Sequence, residues 1–182
     1  LRAKESGKLD DGTVMPFHQM PVLVVDGTSI AQTGGIARFC GKLSGLYPTD
    51  DHLRAAQIDQ FIDFATDLST MVFSTNQFKD ENQKLAARLE LANGPLKRKL
   101  GMLERSILEG SDWIVPPSIS IADIAIWRVL GWFTSGLLDG MPKDLLTDFP
   151  KIKRVCLAVD QHPKVQEWIG RTYPKNYVRS TY

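Results

Sequence analysis

Metal-ligating side chains and long apolar runs are what this sequence of 182 residues has least of, and each shortage excludes something. The three histidines, His18, His52 and His162, are scattered, and none keeps a cysteine or carboxylate at metal-ligand spacing. They read as surface or loop residues, and no metal is expected. The two cysteines, Cys40 and Cys156, lie far apart, each inside an apolar helical pattern, so both are expected to be buried thiols in a reducing compartment. The cytosol is the default location. No apolar run approaches the ~20 residues that span a bilayer, and the first residues lack the apolar core of a signal peptide. The formal net charge is +1 and no basic block is interleaved with aromatics, so neither nucleic acid nor membrane is an expected partner. Several enzyme classes fall away as well, because there is no Gly-x-Gly-x-x-Gly, no phosphate loop and no arguable Ser-His-Asp or Cys-His arrangement. What is left, 43% apolar and 24% charged residues, fits an ordinary globular chain of one domain or two small ones.

The informative stretch runs from Pro16 to Phe39, PFHQMPVLVVDGTSIAQTGGIARF, after a polar segment rich in turn signals. Asp26-Gly27 between the apolar runs Val22–Val25 and Thr28–Ala31 reads as a two-residue hairpin turn, whose positive φ glycine meets without steric cost. Gln32-Thr33-Gly34-Gly35 then opens a helix, with Thr33 available as a cap and Ile36, Phe39, Cys40 and Leu43 as its apolar face. A helix that starts straight after a strand offers bare N–H groups at the positive end of its dipole, which suits a carboxylate or phosphate. Pro21 directly precedes the first strand, where a cis bond fits a tight turn. Met20 before it has backbone groups unpaired on one side, where an extended peptide adds like a strand. Two strands and one helix make a sheet too small to stand alone, so something must complete it.

After the linker Leu46–Asp51 only helical periodicity remains. A long helix over 52–74 is expected to turn Leu53, Ala56, Phe61, Ala65, Leu68 and Val72 to a core, with Asp59, Asp63 and Asp67 on another stripe as a solvated face. A second helix over 80–91 is expected to be interrupted at Asn93-Gly94-Pro95 and to resume through Leu96, Leu100, Leu103 and Ile107. Trp113–Val115 reads as a short extended piece. Ser120 and Asp123 have the spacing of a capping box at the head of a helix that is apolar nearly all round, hence central and buried, and both residues read as structural. A helix from Phe149-Pro150 is expected to stop at His162-Pro163, with a turn or two over 165–169 and a loose polar tail from Tyr173.

QMPVL, VDG and AQTGGIARF, followed by the serine-x-x-aspartate box, resemble a glutathione transferase, most similar to the sigma class, and the likeness reaches about Trp168. It implies an α/β plus all-α fold: residues 1–47 as the C-terminal half of a thioredoxin-like glutathione-binding domain, whose first strand–helix–strand unit is missing by N-terminal truncation, and 48–182 as an all-helical C-terminal domain. It also implies the site residues. Gln19, Met20 and Pro21 match the segment that pairs with glutathione's cysteinyl unit, and Gln32 and Thr33 match the pair that holds the γ-glutamyl carboxylate. Asp67 matches an aspartate that reaches the amino group of glutathione in the partner subunit of a homodimer, with Asp63 on the same interface. Lys4, less readily Lys8, matches the ammonium that meets the glycyl carboxylate, and Met71 touches an apolar acceptor pocket. The implied activity is conjugation of reduced glutathione, the co-substrate, to small hydrophobic electrophiles, as in detoxification, with isomerase or peroxidase side activity. Ser74 stands where the prostaglandin D synthase members carry a tryptophan, which speaks against the isomerase. The thiol-activating tyrosine belongs to the absent first strand, since Tyr47, Tyr173, Tyr177 and Tyr182 lie in the linker or tail. The alternative is a non-catalytic member of the fold, crystallin-like or partner-binding. Retention of Gln32, Thr33 and Asp67 argues against it.

Overall fold

The computed structural model describes residues 5–174 together with 177, 180 and 182. The chain divides between His52 and Leu53 into two compact units.

The first unit is built on an antiparallel hairpin of β1 (Val22–Val25) and β2 (Thr28–Ala31), in the register Val22↔Ala31, Leu23↔Ile30, Val24↔Ser29 and Val25↔Thr28. Asp26 and Gly27 form the turn with φ of 49° and 77°, the doubly positive geometry that matches the twist of the strands. Helix α1 (Thr33–Ser44) follows after one residue, and Gly45 ends it. The apolar periodicity of α1 is present, but its burial differs from expectation. Ile36 and Phe39 are half-buried, Cys40 is exposed and Leu43 is 75% exposed. The helix residue this unit does bury is Gly41, and Met15 is its one buried large apolar side chain among the described residues. Two strands and one helix supply too little surface to cover both ends of the apolar face of α1.

The second unit is helical: α2 (His52–Phe73), α3 (Glu81–Leu91), α4 (Lys97–Ser106), α5 (Ile121–Thr134), α6 (Pro150–Gln161) and α7 (Pro163–Thr172). The core stripe of α2 is Ile58, Phe61, Ile62, Ala65, Leu68 and Val72. Stepping back from Ile58 by three or four residues lands on half-buried Ala55 and Arg54, so Leu53 and Ala56 fall off the stripe and are exposed, against expectation. The break expected at Asn93-Gly94-Pro95 is also corrected: α3 runs into α4 through a π turn, Ala92–Leu96. Pro95 has no N–H to give the α ladder, and a widened turn absorbs the lost bond without ending the helix. Trp113–Val115 is bent and forms no strand, with Ile114 and Val115 buried. His162 closes α6 and directly precedes Pro163, a favoured first helical residue, so α7 has ten residues where a turn or two was expected.

Polar side chains fix how these helices meet. Glu104 of α4 accepts from the N–H groups of Lys151 and Ile152 at 2.9 and 3.0 Å, which places a carboxylate on the free head of α6. Buried Arg88 donates to Thr75 Oγ1, the Asp139 carbonyl and Asn76 Oδ1 at 3.2, 2.9 and 3.2 Å. The described tail residues are docked rather than loose. Tyr182 donates to the Trp127 carbonyl at 2.8 Å, and Tyr173 stacks on Tyr177 with centroids 4.2 Å apart. Glycine at 131 makes room for this, since a Cβ there would overlap the Tyr182 hydroxyl.

Candidate functional site

The hairpin register decides which candidate residues meet. Ala31 pairs with Val22, so Gln32 follows directly across from Pro21, at the end of the ladder opposite the Asp26-Gly27 turn. The segments Gln19-Met20-Pro21 and Gln32-Thr33 therefore share one end of the hairpin. Their side chains are exposed, Met20 to 64%, and the Met20–Pro21 bond is cis.

Gln32 is the cap residue of α1, with φ 70° and ψ 124°, a left-handed backbone that a non-glycine side chain rarely adopts. The expectation that Thr33 caps the helix is corrected: Thr33 is already the first helical residue, and the cap residue Gln32 makes no side-chain hydrogen bond to the first turn. The first turn of α1 also holds no acidic residue. Both features leave the positive end of the helix dipole without an internal counter-charge, next to a strand start that accepts an extended backbone. Such an end, with an amide and a hydroxyl side chain beside it, suits a peptide that carries a carboxylate.

The other candidates are placed elsewhere. Lys4 lies outside the described residues. Lys8 is exposed and bridges to Val14 through its backbone. Asp67, on α2 of the helical unit, has a partner that the sequence did not announce: Lys99 Nζ lies 3.2 Å from its carboxylate and also over the Phe64 ring. Met71 is half-buried one helical turn on. Ser120 and Asp123 form the buried box at the head of α5, where Asp123 Oδ2 accepts from the Ser120 N–H and hydroxyl at 2.7 and 2.8 Å. Asp123 Oδ1 also accepts from the Ile114 N–H at 2.7 Å, which ties the preceding loop to the helix. Burial pushes its carboxyl above the ordinary range, although these hydrogen bonds pull the other way.

Cys156 is buried as expected, and desolvation raises its thiol far above the range in which a thiolate forms, with Asp123 and Asp160 adding to the effect. Among the described residues no group of three or more His, Cys, Asp or Glu side chains is arranged to hold a metal. Likewise, no helix among them is long and apolar enough to cross a membrane. One feature escaped the sequence reading: an aromatic depression on α5, lined in part by Trp132, Tyr173 and Tyr177. Its only signal was the recurrence of aromatics at the end of α5 and through the tail.

Comparison with known proteins turns this geometry into a family. Residues 62–171 match the family described as glutathione S-transferase, C-terminal domain. Glutathione S-transferase 1 of Ascaris suum is 29% identical over 159 residues, 85% of this chain and 74% of that protein. Human hematopoietic prostaglandin D synthase is 26% identical over 160 residues, 87% of this chain and 75% of that protein. Among solved structures, prostaglandin synthase D of Nilaparvata lugens superposes with a TM-score of 0.78 over 95% of this chain and 80% of that one, a likeness of fold at 24% identity. With more than half of its length matched by the family's helical domain, the chain belongs to the glutathione S-transferase family.

Proposed function

We propose that this chain is a sigma-like glutathione transferase that holds reduced glutathione at the open end of its hairpin and joins the thiol sulfur to a small hydrophobic electrophile. The observation that carries this reading is the register that sets Gln32 across from Pro21, beside a helix head with no cap of its own. On this reading the backbone of Met20, with Gln19 and Pro21 on either side, pairs with the cysteinyl unit as an added strand. Gln32, Thr33 and the first N–H groups of α1 hold the γ-glutamyl carboxylate. Lys4 meets the glycyl carboxylate. Asp67 takes the amino group in a partner subunit of a homodimer, and its exposed pairing with Lys99 is weak enough to yield, at no more than about 1 kcal/mol.

The chemistry needs the glutathione thiol, near pKa 8.5 when free, to be held as thiolate at neutral pH. Sulfur then supplies the electron pair for the new bond to carbon, and the leaving group departs with the pair of the bond that breaks. A tyrosine hydroxyl donating to the thiolate is proposed from a strand–helix–strand unit upstream of Leu1. The free edges of the two-stranded hairpin and the exposed Cys40 and Leu43 support such a unit. Residues 1–47 then complete a thioredoxin-like domain, 48–182 form the helical domain, and the acceptor lies near Met71. The proposed role is detoxification in the cytosol. The prostaglandin synthase names among the relatives lend support to an isomerase side activity, and Ser74 speaks against it.

Retention on immobilised glutathione, with elution by free glutathione, is measured together with turnover of chlorodinitrobenzene. Retention with turnover supports the enzyme. Retention alone supports the non-catalytic alternative, and no retention removes the assigned site.

A further inference from the structure

A groove of about 770 Å³ on the helical unit takes no part in the proposed glutathione chemistry, and its size falls within the roughly 300–1,000 Å³ of small-molecule sites. One side of it is α6, where Lys153, Arg154, Leu157 and Gln161 recur at steps of three and four and so form one stripe along the helix. The other side is Asp112 and Trp113, from the loop between α4 and α5. Backbone contacts fix this loop. Ser111 Oγ donates to the Trp113 carbonyl at 2.7 Å and accepts from the Trp113 N–H at 3.1 Å, and the next N–H, of Ile114, donates to Asp123 at 2.7 Å. The half-buried indole is therefore a wall that is already in place before any ligand arrives.

The polar groups around the groove are uncommitted. The Lys153 ammonium, the Asp112 carboxylate, the Gln161 amide and the Trp113 indole N–H have no hydrogen-bond or ion-pair partner among the described residues. Arg154 reaches Glu109 only at 3.7 Å, and Lys151 holds that carboxylate more closely, at 3.3 Å. Eight residues separate Lys153 from Gln161, a rise of about 12 Å along α6. Two cations thus stand at one end of the stripe and an amide at the other, with Leu157 between them. A ligand in the same order has an anion, a hydroxylated middle and a flat ring with a polar edge. Lys153 and the guanidinium fork of Arg154 take the anion, and Asp112 accepts from the hydroxyls. Trp113 and Leu157 cover the ring faces, and the Gln161 amide offers the ring edge both a donor and an acceptor. A plain apolar acid would use neither Asp112 nor Gln161.

We infer that the groove between α6 and the Trp113 loop binds a nucleotide, with its phosphate on Lys153 and Arg154 and its base against Trp113. The site is built from the helical unit alone and needs neither glutathione nor Gln32.

The test is calorimetry of ADP, adenosine and inorganic phosphate with the full chain in the absence of glutathione, with Lys153→Gln and Trp113→Leu measured alongside. ADP is expected to bind about tenfold more tightly than adenosine, as two solvent-exposed charge pairs supply, and more tightly than phosphate. Lys153→Gln lowers ADP affinity by about fivefold and leaves adenosine affinity unchanged, and rising salt narrows the gap between the two ligands. Trp113→Leu weakens both by about tenfold through the lost stacking. Because the Lys153 ammonium has no partner in the described fold, its substitution reads the site even where Trp113→Leu costs stability. Absence of ADP binding, equal affinity for ADP and adenosine, or ADP affinity unmoved by Lys153→Gln overturns the proposal. ADP binding that glutathione displaces and that neither substitution alters also overturns it, since the anion then sits at the head of α1.

Discussion

The hairpin unit and the helical unit use their residues in opposite ways. Around α5 nearly everything is inside: Ile126, Leu130 and Phe133 are fully buried, and even the charged Asp123 is enclosed and hydrogen-bonded three times. Around the hairpin, Met20, Val24, Gln32, Thr33 and Leu43 are exposed, and three non-glycine residues, His18, Asp26 and Gln32, hold left-handed backbones. The first region spends its chemistry on staying folded. The second leaves polar groups and apolar side chains open, at a cost in backbone strain of order 1 kcal/mol or more at a residue such as Gln32. Substitutions should therefore cut along this division.

Thiol chemistry should show the largest contrast. Exposed Cys40 reacts with an alkylating reagent in the native protein, and Cys156 reacts at least about a hundredfold more slowly until the protein is unfolded, as mass spectrometry of labelled peptides would read. Equal rates would mean that α6 opens freely. Next is Asp123→Ala, which leaves the Ile114 and Ser120 N–H groups buried without an acceptor and should cost the helical unit about 3 kcal/mol in denaturant unfolding. Leu130→Ala should cost about 3 kcal/mol through a cavity, whereas Leu43→Ala, at a position 75% exposed, should change stability by less than about 0.5 kcal/mol. A large effect at Leu43 would mean that something covers α1.

The smallest effect is in pH. A folded-state pKa raised above the ordinary carboxyl value of 3.8 means that the folded chain holds the Asp123 proton more tightly. Its contribution to stability is thus fully present below the unfolded value and lost as pH rises through the raised one. Unfolding titrations should show this downward slope above the ordinary value in the unsubstituted chain and a flatter one in Asp123→Asn.

Legibility in the sequence follows the same division, for a physical reason. The Asp26-Gly27 turn and the Ser120 box are local: a few adjacent residues settle their own hydrogen bonds, so their geometry can be read from spacing. The hairpin and the run of helices were readable because many such local signals agree, whereas the glutathione transferase fold was what the resemblance implied. Burial was less so. Leu53 and Ala56 look like core by composition, but the phase of the α2 stripe is set farther along, at Ile58 and Phe61. Cys40 and Leu43 keep the right period but are covered by none of the described residues. Pro95 looked like a stop because a π turn is decided by the packing on both sides of it. In the candidate site, residue types were visible at Gln32 and Thr33, whereas the left-handed backbone of Gln32 and the Lys99 partner of Asp67 depend on contacts that no short window contains.

The central claim is that the open end of the hairpin binds glutathione through Gln32. Equilibrium binding of glutathione to the chain and to Gln32→Ala tests it most directly, with the unfolding free energy of both measured in parallel. The predicted result is a loss of about tenfold in affinity at a stability within about 0.5 kcal/mol, as expected for removing a hydrogen bond to a charged group from an exposed position. Unchanged glutathione affinity in Gln32→Ala would contradict it.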